Sequence, residues 1–230
     1  MARHIGIVAC SAEGAALCYR TIAIEGSHVM GEHDHPEITM NSIPLARHME
    51  NIRRNDWAGV ADLMLQSARK VAAAGADFAI CPDNTIHQAL EMVLPSSPIP
   101  WLHIAEVVAE EARHHGFERV GVLGTKYLME GPVYPRAFGE YGIEWRIPPP
   151  EDREIINRTI FQELVNAVFT EEARAMFDRV MRSLEAQGCD AAALACTEIP
   201  LIVRPETAPL PTLDSTRLLA RAAVRRALEP

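Results

Sequence analysis

The sequence predicts an α/β protein of two domains, each a parallel sheet covered by helices. Three observations carry this. Strand-length apolar runs alternate with segments of helical period along the 230 residues, as strand–crossover–strand units require. Two segments echo each other, Gly75-Ala-Asp-Phe-Ala-Ile-Cys-Pro-Asp-Asn-Thr-Ile-His87 and Gly188-Cys-Asp-Ala-Ala-Ala-Leu-Ala-Cys-Thr-Glu-Ile-Pro200. Each is a Gly-x-Asp turn, a short apolar run suited to a buried parallel strand, and polar residues that open a helix. Third, Phe117-Glu-Arg-Val-Gly-Val-Leu-Gly-Thr-Lys-Tyr127 restarts the pattern of Arg3-His-Ile-Gly-Ile-Val-Ala-Cys-Ser11. The expected domains are therefore 1–116 and 117–230, with the terminal helix 215–230 able to pack back on the first.

Ile5-Gly-Ile-Val-Ala9 reads as a buried strand, and Ser11 stands where a hydroxyl caps a helix over 13–24. Residues 26–37 are polar, His-rich and glycine-punctuated, which predicts a loop. Glu37-Ile-Thr-Met-Asn-Ser-Ile43 alternates as a second strand, ended by Pro44, and 45–54 form a basic, partly helical turn. Trp57–Ala74 carry apolar residues at helical spacing before Gly75 stops them, and the stripe from Leu63 to Val71 is a candidate dimer surface. After the first echo strand come a short helix from Asn84 to Val93, a stiff Pro95–Pro100 connector, a strand at Trp101–Ile104 and a helix over 105–115. In the second half 126–140 are helical, Ile143–Ile147 is a strand, and Pro148–Pro150 is a break. Two helices within 152–187 flank Val168–Thr170, and the second echo strand leads into Glu198–Val203. Leu210–Asp214 is an edge strand, and Ser215–Leu228 is a helix with its arginines outward.

With 48% hydrophobic and 23% charged residues the chain can bury one large core or two modest ones. A net charge of -9 speaks against nucleic-acid and anionic-membrane partners. The amino terminus enters a strand pattern at once, without the apolar span of a signal or membrane helix, so a cytoplasmic location is expected. Five cysteines at irregular spacing read as free thiols. No CxxC or Cys/His cluster has ligand spacing and no GxGxxG or GxxxxGKS loop is present, so neither metal nor dinucleotide cofactor is expected. In open parallel sheets a ligand sits beyond the carboxyl ends of the strands. Those ends carry Ser11, Asp83-Asn84-Thr85, Thr125 and Cys196-Thr197.

Ala9-Cys-Ser11, Asn84-Thr-Ile-His87, Leu123-Gly-Thr-Lys-Tyr127 and above all Ala195-Cys-Thr-Glu-Ile-Pro200 resemble the aspartate/glutamate racemase family, a cofactor-independent group. The resemblance covers nearly the whole chain, and the CTEI and NTxH pieces are its specific parts. It implies two flavodoxin-like domains related by a pseudo-two-fold, with a cleft between them. It also implies an amino-acid or small carboxylate substrate, a homodimer, and one cysteine per domain moving the α-proton.

Cys196 matches the family's second-domain cysteine. In the first domain the cysteine stands one or two positions before the Asn of NTxH, where this chain has Asp83 and Pro82. Asp83 reads as the replacement. Strand alternation turns Cys81 away, unless a bulge at Pro82 recovers it. An exposed carboxyl, with a reference pKa of about 3.9, is a far weaker base than a thiol at about 8.5, but burial and a neighbouring thiolate raise it, and helix amides at Thr197 favour the Cys196 thiolate. Relatives with a single cysteine include arylmalonate decarboxylases and maleate isomerases. A one-sided decarboxylase or cis–trans isomerase of a small dicarboxylate therefore stays open, as does a non-catalytic binder.

Asn84, Thr85 and Thr197 are short donors for a substrate carboxylate. Arg47 follows Asn41 at a spacing similar to that of the family's carboxylate arginine, with Arg53 and Arg54 as alternatives. Phe161–Val165 lacks the lysine of some aspartate racemases, which leaves glutamate or another amino acid open beside aspartate. Ser11 reads equally as cap and as substrate contact, and Thr125 as contact. His87 and His103 read as hydrogen-bonded structural residues, with a catalytic or positioning role as the alternative, and Cys10, Cys18 and Cys189 read as core.

Overall fold

Two separate parallel sheets organise the computed structural model, which describes residues 2–229. The first contains β1 (Ile5–Ala9), β2 (Ile38–Ser42) and β3 (Phe78–Ile80) in the order β2-β1-β3. Its crossovers and extensions are α1 (Ala12–Met30), α2 (Leu45–Arg53), α3 (Trp57–Ala73) and α4 (Leu90–Val93), and α5 (Ile104–His114) follows. The second sheet contains β4 (Arg119–Leu123), β5 (Glu144–Arg146), β6 (Ala191–Leu194) and β7 (Thr212–Asp214) in the order β5-β4-β6-β7. Its helices are α6 (Lys126–Met129), α7 (Val133–Glu140), α8 (Pro150–Gln162) and α9 (Glu171–Ala186), and α10 (Ser215–Leu228) closes the chain. Packing groups the residues through Ile104 with those from Thr216 onward as one unit, and Ala105–Ser215 as the other.

The Gly-x-Asp echo has a physical basis in both units. Gly75 and Gly188 leave their helices at φ of 100° and 84°, a region that L side chains avoid. Two residues on, Asp77 accepts the His4 amide at 2.7 Å, and Asp190 accepts the Glu118 amide at 2.7 Å and that of Arg119 at 3.2 Å. Each carboxylate thus fixes the start of the neighbouring strand, and with it the registers Ile5↔Phe78 and Val120↔Ala191. The mid-strand glycines let a helix lie close. A Cβ at Gly6 would fall 2.7 Å from Val71, and one at Gly121 would fall 2.7 Å from Leu184. Val71 and Leu184 are themselves fully buried, Leu184 in one core cluster with Phe177 and Val180.

Several expected elements change form. The loop foreseen from residue 26 starts only at Gly31, because Gly26 stays helical and admits His35, whose Cβ would lie 2.7 Å from an added methyl. Trp101–Ile104 is no strand. Only the bridge Ala79↔Trp101 forms, since the Pro95–Pro100 connector delivers the chain late and the Ile104 amide is drawn to His87. Asn84–Val93 begins as a 3-10 turn over Thr85–Ala89 before α4, and 126–140 is split into α6 and α7 around Gly131-Pro132. The stripe from Leu63 to Val71 is buried in its own unit, with Met64 and Val71 at 0% exposure, so it offers no dimer surface. Among the described residues no helix is long and apolar enough to cross a membrane.

Candidate active site

In the first unit, chemistry gathers where β1 and β3 end. Extending their register beyond Ile7↔Ile80 sets Cys10 opposite Asp83, and the Cys10 thiol donates to Asp83 Oδ2 at 3.0 Å. Asp83 Oδ1 accepts the Ile86 amide at 3.1 Å, which ties the carboxylate to the 3-10 turn behind it. Cys10 is buried, as its apolar neighbours suggest, but its thiol also meets a carboxylate there. The signal was available, because parallel neighbours place the last residues of β1 and β3 side by side. Beside it Ser11 forms the N-cap of α1 without a side-chain cap bond. Its buried hydroxyl has no partner among the described residues, so the capping reading is set aside. Asn84 and Thr85 are buried directly after Asp83.

His87 is a structural residue. The Ile104 amide can only donate, so Nε2 accepts it at 3.3 Å, and Nδ1 donates to the Asp83 carbonyl at 2.6 Å. That fixes the neutral tautomer. Burial, with a smaller contribution from His103, brings the ring down to a pKa of about 3, and the two rings meet edge-on at 4.8 Å. His87 thereby holds the backbone of Asp83 in place. Cys81 is fully buried, and burial first, then the Asp83 charge, pushes its thiol well above the ordinary value. A thiol held neutral in this way is no base.

In the second unit the strand end of β6 carries Cys196, Thr197 and Glu198. The Cys196 thiol and the Thr197 hydroxyl both donate to Glu198 Oε2, each at 3.1 Å. Glu198 is only 3% exposed, and its Oε1 has no partner among the described residues, an arrangement that buried carboxylates rarely keep without a ligand or another donor. Glu198 was missed as a site residue in the sequence. The following helix is no more than a 3-10 turn over Ile199–Leu201, and the side chain that the thiol meets is a carboxylate. Thr125, across the register from Cys196, caps α6 by accepting the Leu128 amide at 3.2 Å.

Arg47 sits exposed in the first turn of α2, and no described carboxylate pairs with its guanidinium. It lies next to His48, which burial first and the Arg47 charge second bring down to a pKa of about 4. Cys18 and Cys189 are core residues. The described residues contain one group of possible metal ligands, Glu111, His114 and His115, with donor atoms within 4.8 Å of one another. It lies at the exposed end of α5, with His115 already bonded to Glu111 at 3.1 Å. A hollow lined by Glu118, Arg119, Glu144 and Asp190 opens at the amino ends of β4 and β5, the wrong end of the sheet for Cys196, and Arg119 already pairs with Glu144 there at 2.8 Å.

A sequence profile described as Asp/Glu/hydantoin racemase matches residues 6–223. The chain is 24% identical over 199 residues to the broad specificity amino-acid racemase RacX of Bacillus subtilis (strain 168), covering 83% of this chain and 82% of that protein. Among solved structures, a candidate Asp/Glu racemase from Yersinia pestis superposes with a TM-score of 0.89 at 31% identity, covering 99% of this chain and 100% of that one. An aspartate racemase homologue from Pyrococcus horikoshii OT3 gives 0.85 at 26%, with 100% of both chains covered.

Proposed function

Since this chain belongs to the Asp/Glu/hydantoin racemase family, we propose that Cys196, together with the Asp83 carboxylate and its thiol partner, moves the α-proton of its substrate. The protein is an amino-acid racemase, an isomerase of a cofactor-independent kind. The substrate is aspartate, glutamate or a related amino acid, and the breadth in the name of the Bacillus relative supports testing beyond the two acids. One group removes the proton, the electron pair spreads into the α-carboxylate, and the other group returns a proton to the opposite face. Ser11, Asn84, Thr85 and Thr197 hold the carboxylate where charge develops, Thr125 lines the same strand ends, and Arg47 clamps a carboxylate through two bonds.

The observation that carries this reading is the Cys196–Glu198 hydrogen bond at the carboxyl end of β6. A thiol next to a buried carboxylate is equipped to lose and regain a proton. The test is to incubate the enzyme in deuterated water with single enantiomers of aspartate, glutamate and a panel of neutral and basic amino acids. Build-up of the mirror image with deuterium at the α-carbon, abolished in Cys196→Ala and cut severely in Asp83→Asn, is the expected result. Carbon dioxide release from a malonate, or a ligand-induced melting shift without turnover, would sink it. The reading includes a cytoplasmic homodimer. Light scattering tests the dimer, and fractionation tests the compartment.

A further inference from the structure

We infer that the first unit's acid/base is the thiol of Cys10, and that Asp83 is the carboxylate that takes the proton of that thiol. This rests on the racemase reading and assigns the reacting atom within it. Two sets of atoms built from different positions correspond. In the second unit the Cys196 thiol donates to the Glu198 carboxylate at 3.1 Å. In the first, the Cys10 thiol donates to the Asp83 carboxylate at 3.0 Å. The thiol comes from the end of β1 rather than β3, and the carboxylate occupies the strand end instead, yet the couple is the same. Access is also the same, since Cys10 is 5% and Cys196 8% exposed.

An independent observation points to a ligand at this spot. Ser11, adjacent to Cys10, is 7% exposed, and its hydroxyl has no partner among the described residues, although its place at the head of α1 would ordinarily give it a capping bond. The other thiol near Asp83 is excluded. Cys81 is sealed in the core at 0% exposure, its sulfur 4.0 Å from the Asp83 backbone carbonyl.

The proton accounting closes. Cys10 loses its S–H proton to Asp83, leaving a thiolate and a protonated carboxyl. The thiolate takes the α-hydrogen, the C–H bond breaks with its electron pair left on the carbon, and a new S–H bond forms. Cys196 then delivers its own proton to the carbon and is left as a thiolate. Solvent resets the pair, as Asp83 releases a proton and Cys196 gains one. In the reverse direction Cys196 first yields its proton to Glu198.

The experiment compares wild type, Cys10→Ala, Cys10→Ser and, as a control for loss of a thiol elsewhere, Cys18→Ala. Racemisation and α-hydrogen exchange are followed by proton NMR in deuterated water from each enantiomer separately, with circular dichroism melts confirming the fold. Both Cys10 variants should lose racemisation by about 10³-fold. They should still exchange, in place, the α-hydrogen of the single enantiomer whose proton Cys196 removes, while Cys18→Ala stays at wild-type rate. Cys10 variants within about threefold of an active wild type overturn the assignment and leave the racemase reading intact. Equal loss of exchange from both enantiomers in a folded Cys10→Ser also overturns it, because a one-sided base must spare one side. A wild type that exchanges none of the amino acids overturns the racemase reading and this inference together.

Discussion

Glu198 Oε2 lies 3.1 Å from the sulfur of Cys196, on a carboxylate that is almost wholly withdrawn from solvent. Glu198→Gln keeps the shape and an accepting oxygen but removes the group that can take a proton. We expect kcat to fall by about 10²-fold or more with KM near wild type, and iodoacetamide to alkylate Cys196 faster, because a neutral amide no longer opposes the thiolate charge. Peptide mass spectrometry of the Cys196 fragment measures the second effect.

Arg47 gives the opposite kinetic signature. If its guanidinium clamps a substrate carboxylate, Arg47→Ala raises KM by about 10- to 100-fold, the worth of a charge-assisted pair, and changes kcat little. Arg47→Lys recovers only part, since an ammonium lacks the planar fork. A steady-state KM equal to wild type in Arg47→Ala would return that role to Arg53 or Arg54.

His48 and His87 together predict an acid limb of stability. Both are neutral in the fold, with pKa values near about 4 and about 3 against 6.5 for the unfolded chain. Unfolding therefore takes up protons below pH 6.5, and stability falls as pH drops towards 4. Each histidine contributes about 1.4 kcal/mol per pH unit in that window. Urea midpoints measured from pH 7 to pH 4.5 check the slope, and His48→Gln should remove about half of what the two rings supply. A midpoint flat across this range would contradict the buried neutral assignment.

Gly6 and Val71 are coupled by contact. Gly6→Ala places a methyl 2.7 Å from the Val71 side chain, and overpacking of this kind costs about 1–3 kcal/mol. Val71→Ala alone leaves a cavity. The double variant should be more stable than the sum of the two losses, and a thermodynamic cycle from denaturant melts measures that coupling. Strict additivity would mean that α3 simply moves away.

Much of the fold was legible because its signals are local. Gly75, Asp77, Gly188 and Asp190 mark helix end and strand start by backbone geometry and carboxylate capping, and both leave a trace in sequence. Gly26 misled because a glycine reads alike whether it breaks a helix or admits a neighbour, and His35 decides which. Cys196 was legible through its motif, whereas Glu198, two residues on, looked like the polar opening of a helix. The Cys10–Asp83 contact was not recognised because its partners stand 73 positions apart, and a residue surrounded by Val8, Ala9 and Ala12 looks like packing. The register of two parallel strands is what brings the pair together.

The first unit draws on both ends of the chain. The Arg3 amide bonds the Ala227 carbonyl at 2.7 Å, and Arg221 pairs with Glu25 at 2.9 Å. On the ribosome residues 105–215 emerge as one uninterrupted stretch, while their predecessors wait for α10 to be made. The later unit can finish first, and closing the earlier one joins Arg3 to Ala227 with all of residues 105–215 between them, at an entropic cost that grows only slowly with loop length.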